Sequence, residues 1–295
     1  MEKLSSFYEV MKPKVMYLSI FTSFCSLLAS YSYNSLQVNL FSTVFIIFFI
    51  SLGAGASGAL NMWWDSDIDK DMARTNRRPI PSGKLSRNTV LLFGVTISGI
   101  SVIGLYIVSN ILSAALLAFT IFFYIVIYSM LLKRRTPQNI VIGGAAGALP
   151  PIVSWAAVSG DLSIQPILIF LIIFFWTPPH FWSLSIFSNE DYRKVNIPML
   201  TVTHGIEFTT KKIIYYTFLT SLSVLVYFYF FSNMLLFIFA LFLSLDFIRR
   251  VYELYYTGSK VIVSKKVFFY SIIYLFSIFL LILGDSVYEI LTSDF

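Results

Sequence analysis

Between residues 61 and 81 the chain reads Asn61-Met62-Trp63-Trp64-Asp65-Ser66-Asp67-Ile68-Asp69-Lys70-Asp71 and continues through Arg74, Arg77 and Arg78 to Pro79 and Pro81. It holds four acids in seven residues. If the apolar stretch ahead of them continues as a helix beyond Leu60, then Asn61, Asp65 and Asp69 fall at i, i+4 and i+8. They would lie within about 80° of one face and about 6 Å apart per step. Two carboxylates so spaced repel each other unless a cation sits between them. Hard oxygen ligands with open positions suit Mg2+ held jointly with substrate phosphates. Arg74, Arg77 and Arg78 add guanidinium forks that match phosphate oxygens. The pattern predicts a metal-bridged diphosphate site, with Asp65 and Asp69 as metal ligands and Asn61 in support. Asp67 and Asp71 project to the other side, toward the basic run. A solvated loop at the end of a span would also carry acids, but without placing Asn, Asp and Asp on one stripe.

The elements that must position these residues are set by composition. Of 295 residues, 57% are hydrophobic and 12% charged, about half the charge of a soluble protein. Apolar windows of spanning length recur throughout, which identifies an all-α polytopic membrane protein. Spans are expected near 15–33, 38–60, 90–108, 111–132, 140–158, 164–187, 213–231, 234–248 and 267–284. That makes nine transmembrane helices around a central cavity, in one domain over residues 1–295, the eighth short and ending at Asp246. All 21 Lys and Arg lie in the segments before the first span and after the second, fourth, sixth and eighth, whereas the opposite connections hold Asp161, Asp285, Glu289 and Asp294. The positive-inside rule then puts the N-terminus in the cytoplasm and the C-terminus outside. The net charge of +6 reports that topology, with no nucleic-acid partner needed.

Cys25, the single cysteine, sits inside the first apolar stretch, which excludes a disulfide framework and a Cys-based metal site. The polar opening MEKLSSFYEVMKPK contains two acids, and the run after it lacks a small-x-small cleavage site. It is read as a retained helix. Residues 61–89 and 188–212 are long connections, each following the second helix of a four-helix set, a layout that hints at a repeat with one active loop per half. His180 follows Pro178-Pro179 inside the sixth span. A proline pair frees backbone groups that protein or a cavity must satisfy, so an ionisable side chain beside it is expected to face that cavity. His204 reads as structural or surface. Gly53, Gly55, Ser57 and Gly58, and again Gly143, Gly144 and Gly147, read as close helix packing, and Pro150-Pro151 as a kink.

The N-x-x-x-D-x-x-x-D stretch at the end of a second span, in a nine-helix chain of about 300 residues, resembles the UbiA superfamily of intramembrane prenyltransferases. Further stretches are similar to the branch of that superfamily that farnesylates heme: Leu132-Lys133-Arg134-Arg135-Thr136-Pro137-Gln138-Asn139 with Gly143-Gly144, Pro150-Pro151 with Trp155, and Trp176-Thr177-Pro178-Pro179-His180-Phe181-Trp182. The likeness runs from about residue 12 to 205 and is weakest in the last three spans. It implies a Mg2+-dependent enzyme that moves a farnesyl group from farnesyl diphosphate to a vinyl group of heme b, working in the plasma membrane among lipid, with its active loops cytoplasmic. A downstream heme-modifying enzyme is the implied partner. Arg74, Arg78, Lys133 and Arg134 would hold the diphosphate, and His180 would orient or ligate the porphyrin, against the alternative of a packed histidine. The superfamily's second acidic motif is reduced here to Ser188-Asn189-Glu190-Asp191-Tyr192, leaving Asp191 and Tyr192 as second-loop candidates. Two other readings stay open. A quinone-pathway prenyltransferase would share the first motif but act on a hydroxybenzoate. A secondary transporter would use broken helices, although its ionisable residues would sit nearer the midplane.

Overall fold

The computed structural model describes residues 2–258 and 260–292; Asp294, one of the acids expected on the outer side, and the C-terminal residue 295 lie outside them. The regular elements of the described chain are all helices. Its elements are α1 (Glu2–Val10), α2 (Pro13–Tyr33), α3 (Leu40–Trp64), α4 (Arg87–Val108), α5 (Ile111–Phe122) running into a π-helical segment (Phe123–Leu132), α6 (Asn139–Ser159), α7 (Ile164–Phe187), α8 (Asn189–Lys194), α9 (Leu200–Thr203), α10 (Gly205–Phe231), α11 (Met234–Tyr256) and α12 (Val261–Thr292). Helix is what apolar solvent demands, because every backbone N–H and C=O must be satisfied within its own segment.

Among the described residues, seven helices are long and apolar enough to cross a membrane: α3, α4, Ile111–Leu132, α6, α7, α10 and α12. Of the nine expected spans, the first and eighth are not among these seven. Both are nonetheless long helices, α2 of 21 residues and α11 of 23. The eighth differs most from expectation. It continues past Asp246 because Arg249 and Arg250, one turn on, pair with that carboxylate at 2.7 and 2.8 Å, so the charges are satisfied on the helix itself.

The burial pattern is that of a protein whose solvent is lipid. Large apolar side chains such as Ile107, Phe230 and Leu235 face outward, while serines and threonines fill the interior. Small hydroxyls let helices approach and bond across the contact. Ser26 and Ser30 of α2 donate to the carbonyls of Pro151 and Trp155 in α6, at 2.8 and 3.2 Å. Both proline pairs lie inside continuous helices. The described interior holds three apolar clusters: one drawing on α2 to α6, one chiefly on α6, α7 and α10 to α12, with α2 contributing to both, and a small third in which Val10 packs with Ala59, Met62, Leu85 and Val90. The long loops after α3 and α7 belong to different halves, yet they meet.

Candidate functional site

Regular helix stops at Trp64, but the backbone keeps winding. The Asp65 N–H donates to the Asn61 carbonyl and the Asp69 N–H to that of Asp65, both at 2.9 Å. Asn61, Asp65 and Asp69 therefore keep the single stripe that their spacing predicts, and all three are buried. Burying a carboxylate is expensive unless cations and donors surround it, and here they do. Asp65 Oδ2 accepts from Lys133 Nζ at 2.5 Å, and its Oδ1 lies 3.7 Å from Arg134 Nη2. Asp69 Oδ2 accepts from Arg78 Nη1 at 2.7 Å, while its carbonyl accepts from Thr75 Oγ1 at 3.1 Å, closing the loop that carries Arg78 back over the acid.

Lys133 reaches Asp65 because of the π-helical segment. Its N–H donates to the Tyr128 carbonyl, five residues back, at 2.8 Å, and Asn139 Nδ2 holds the Lys133 carbonyl at 3.2 Å. The same segment presents Ser129, whose Oγ accepts from Asn61 Nδ2 at 2.8 Å. Tyr124 and Tyr128 stack with ring centroids 5.5 Å apart, close enough to Asp65 to feel its charge. Tyr128 fits only because Gly143 of α6 has no Cβ, which would overlap the ring.

Arg134 stands between two acids, Asp65 and Asp67. Both of its terminal nitrogens bond Asp67 at 2.7 Å, with the guanidinium 5.9 Å over the Trp64 ring. The guanidinium holds Asp67 below the usual carboxylate range. Arg74 points elsewhere, its guanidinium within hydrogen-bonding reach of the Tyr192 hydroxyl in α8. Tyr192 is buried, which raises its pKa against the pull of Arg74. Its neighbours in the second loop are less engaged, Asp191 half-buried and Glu190 exposed.

His180 lies between two rings, Trp176 at 4.3 Å and Phe268 of α12 at 4.6 Å, with Nδ1 bonded to Ser271 Oγ at 2.8 Å. Both faces are covered and one nitrogen is fixed. His204 stacks on Phe208 and bonds Thr203 at 2.8 Å, in keeping with a structural role.

One residue of this cluster is invisible to spacing. Lys12, before the first long helix, donates from Nζ to Asn61 Oδ1. Burial and repulsion from Arg78 push its ammonium down to about 7, against the pull of Asp65. A Lys-Pro-Lys run ahead of an apolar helix carries no local signal for this; only the tertiary fold brings it here.

The donor set fits a hard cation. Asp65 Oδ1 is fully buried and accepts no hydrogen bond, an unused hard oxygen on the predicted stripe. Among the described residues no group of three or more His, Cys, Asp or Glu side chains could hold an ion by itself. Mg2+ bound here would therefore complete its octahedron with phosphate oxygens and water, its usual habit in phosphoryl sites.

Sequence and fold place this architecture in a known class: the chain belongs to the UbiA prenyltransferase family, whose model matches residues 18–273. It is an integral membrane protein and an enzyme of that family. Within the family it is similar to the protoheme IX farnesyltransferase of Pelagibacter ubique, 47% identical over 290 residues that cover 96% of this chain and 93% of that one. It is also similar to the protoheme IX farnesyltransferase of a Ruegeria species, 52% identical over 214 residues, 72% and 67% of the two chains. Among solved structures, the fold matches that of digeranylgeranylglyceryl phosphate synthase with a TM-score of 0.79 at 16% identity, covering 98% of this chain and 100% of that one. A UbiA homolog from Archaeoglobus fulgidus bound to DMAPP and Mg2+ superposes with a TM-score of 0.67 at 13% identity, over 95% and 99% of the chains.

Proposed function

We propose that this chain transfers a farnesyl group from farnesyl diphosphate to a vinyl group of heme b, with addition of water, giving heme O and diphosphate. The donor half is carried by one observation: a fully buried Asp65 with an unused oxygen, set among Lys133, Arg134 and the Arg78–Asp69 pair. The acceptor half is supported by the names of relatives nearly half identical over almost the whole chain. A single membrane domain over residues 1–295 suffices for both.

Mg2+, held by Asp65 and Asp69 with Asn61 in support, would neutralise the charge that develops on the departing diphosphate. Lys133 and Arg78 flank those carboxylates and donate to the diphosphate oxygens when it arrives. Arg74 joins them from the same loop, steadied by Tyr192 of the opposite one. Arg134, gripped by Asp67, contributes its field at Asp65 in place of a phosphate contact. Asp191 borders the same rim. Tyr124 and Tyr128 offer π faces to the allylic cation left behind, and the apolar bundle keeps water from capturing it early. The acceptor meets His180 edge-on: with Nδ1 on Ser271 and both faces covered, Nε2 is the nitrogen left to meet iron or the porphyrin rim.

α2 and α11 complete a nine-span bundle in this reading. Each is long enough to cross, since about 20 residues reach across a bilayer core, and the one-sided Lys and Arg keep the N-terminus and both long loops cytoplasmic in the plasma membrane, with the C-terminus external. Mass spectrometry of heme extracted from cells with and without this chain tests the reaction. A product heavier than heme b by a hydroxyfarnesyl unit is expected; prenylation of a hydroxybenzoate with no reaction on heme b would replace the acceptor. His180→Ala should weaken heme binding, followed by the Soret band in detergent, and leave farnesyl diphosphate binding unchanged. Equal heme affinity and turnover would return His180 to a packing role.

A further inference from the structure

The acid stripe has a third wall, built neither by the loop after α3 nor by the loop after α7. Val10, Met11 and Lys12 form an elbow between α1 and α2, and Lys12 holds φ 56°, ψ 58°, a left-handed conformation that a non-glycine residue keeps only where its surroundings impose it. The imposing surface is α3. A Cβ on Gly58 would stand 2.7 Å from the Met11 carbonyl oxygen and 3.0 Å from its carbon, and one on Gly55 would overlap the Met11 side chain. These two glycines lodge the elbow against α3, a more specific task than general helix packing. α1 is pinned on the same side, with Phe7 packed on Phe93 of α4 at 4.8 Å between centroids.

From that seat Lys12 Nζ reaches Asn61 Oδ1. No carboxylate among the described residues comes within 4.0 Å of it in an ion pair, because Asp65 and Asp69 are engaged by Lys133, Arg134 and Arg78. In its protonated form Lys12 offers three N–H donors and, among the described residues, bonds a single amide oxygen; gathered with Arg78 and Lys133 around one stripe, it adds to a set of mutually repelling charges. That set becomes favourable when an anion with several negative oxygens lies among them.

We propose that Lys12 binds the diphosphate of the prenyl donor directly, from the wall opposite Lys133, and that the elbow on Gly55 and Gly58 exists to deliver it. The proposal rests on the prenyl-transfer reading above, and inorganic diphosphate with Mg2+, titrated into the full-length protein in detergent, separates the two. Lys12→Met keeps the apolar stem and removes the charge. It should weaken diphosphate binding about tenfold, the worth of one charge-assisted hydrogen bond. The KM for farnesyl diphosphate should rise in parallel while heme affinity stays unchanged. Lys12→Arg should recover most of the loss. Gly58→Ala, which retains the lysine but pushes Met11 off its seat, should weaken diphosphate binding in the same direction. Diphosphate affinity of Lys12→Met within twofold of the parent would overturn the assignment and leave Lys12 as a tether for Asn61. So would a fall in thermal stability and in diphosphate and heme binding together that Lys12→Arg shares. A parent protein that binds no diphosphate would instead overturn the prenyl-transfer reading itself.

Discussion

The loops after α3 and α7 occupy corresponding places in the two halves of the bundle, yet they handle charge in opposite ways. The first buries Asp65 and Asp69 and brings cations to them across the fold: Lys133 and Arg134 from 68 and 69 residues beyond Asp65, and Arg78 from nine beyond Asp69. The second leaves Glu190 exposed and Asp191 half-buried, and it buries only a neutral hydroxyl, Tyr192. A buried carboxylate is tolerated only when a compensating array is built around it; in the second loop no acid is buried. The pair is therefore asymmetric by construction, one loop burying its acids among cations and the other leaving them toward the surface.

That asymmetry can be broken most severely at Asp65. Asp65→Asn removes the negative charge while keeping the shape, and turnover of farnesyl diphosphate onto heme b should fall about a thousandfold, roughly 4 kcal/mol of lost transition-state stabilisation. Activity near the parent's at saturating Mg2+ would contradict the ligand role. Arg78→Met tests the compensation from the other side. It leaves Asp69 buried without its partner, and because Arg78 is itself 22% exposed the expected destabilisation is about 2 kcal/mol, below that of a fully buried pair. It should show as a lower midpoint of thermal unfolding. Adding Asp69→Asn should restore the midpoint and leave the enzyme inactive, which separates stability from catalysis.

Smaller changes sharpen the contrast. Tyr192→Phe removes only the hydroxyl near Arg74, and turnover should drop about tenfold with the Mg2+ dependence unaltered. A shifted Mg2+ requirement would move the second loop into the metal site and erase the asymmetry. Asp67→Asn, at an exposed position gripped by Arg134, should change turnover by less than about threefold, since exposed ion pairs contribute little; a larger loss would show that the field of Arg134 at Asp65 depends on it.

The stripe was legible because a period of four survives even where regular helix ends: the N–H to C=O bonds from Asp65 to Asn61 and from Asp69 to Asp65 persist through the turns. The positions of the seven spans found among the described residues were legible for the same reason that lipid enforces helices. What escaped the sequence was pairing at long range. Nothing in the order of residues says that Arg134 will be taken by Asp67, that Arg74 will cross to Tyr192, or that Lys12 will lie on Asn61. Basic residues on one side of a membrane are expected for topology alone, so their number carries no hint of which will enter a site. The eighth span looked short because Asp246 reads as a stop, whereas local pairing with Arg249 and Arg250 lets α11 run to Tyr256. The glycines at 55 and 58 were visible as close packing, but what packs there is a stretch of backbone from outside the helix pairs.

The π-helical stretch from Phe123 to Leu132 makes the site unequal toward gain and loss of single codons. A π turn holds about one residue more than an α turn, so deleting a residue within 123–132 can be absorbed by reversion to α winding, with both ends of the segment kept in place and Lys133 still aimed at Asp65. α3 has no such slack. Removing one residue between Gly58 and Asn61 would turn the whole stripe about 100° around the helix axis, carrying both carboxylates away from Lys133. In-frame single-residue deletions should therefore be survivable in one wall of the site and lethal to activity in the wall facing it.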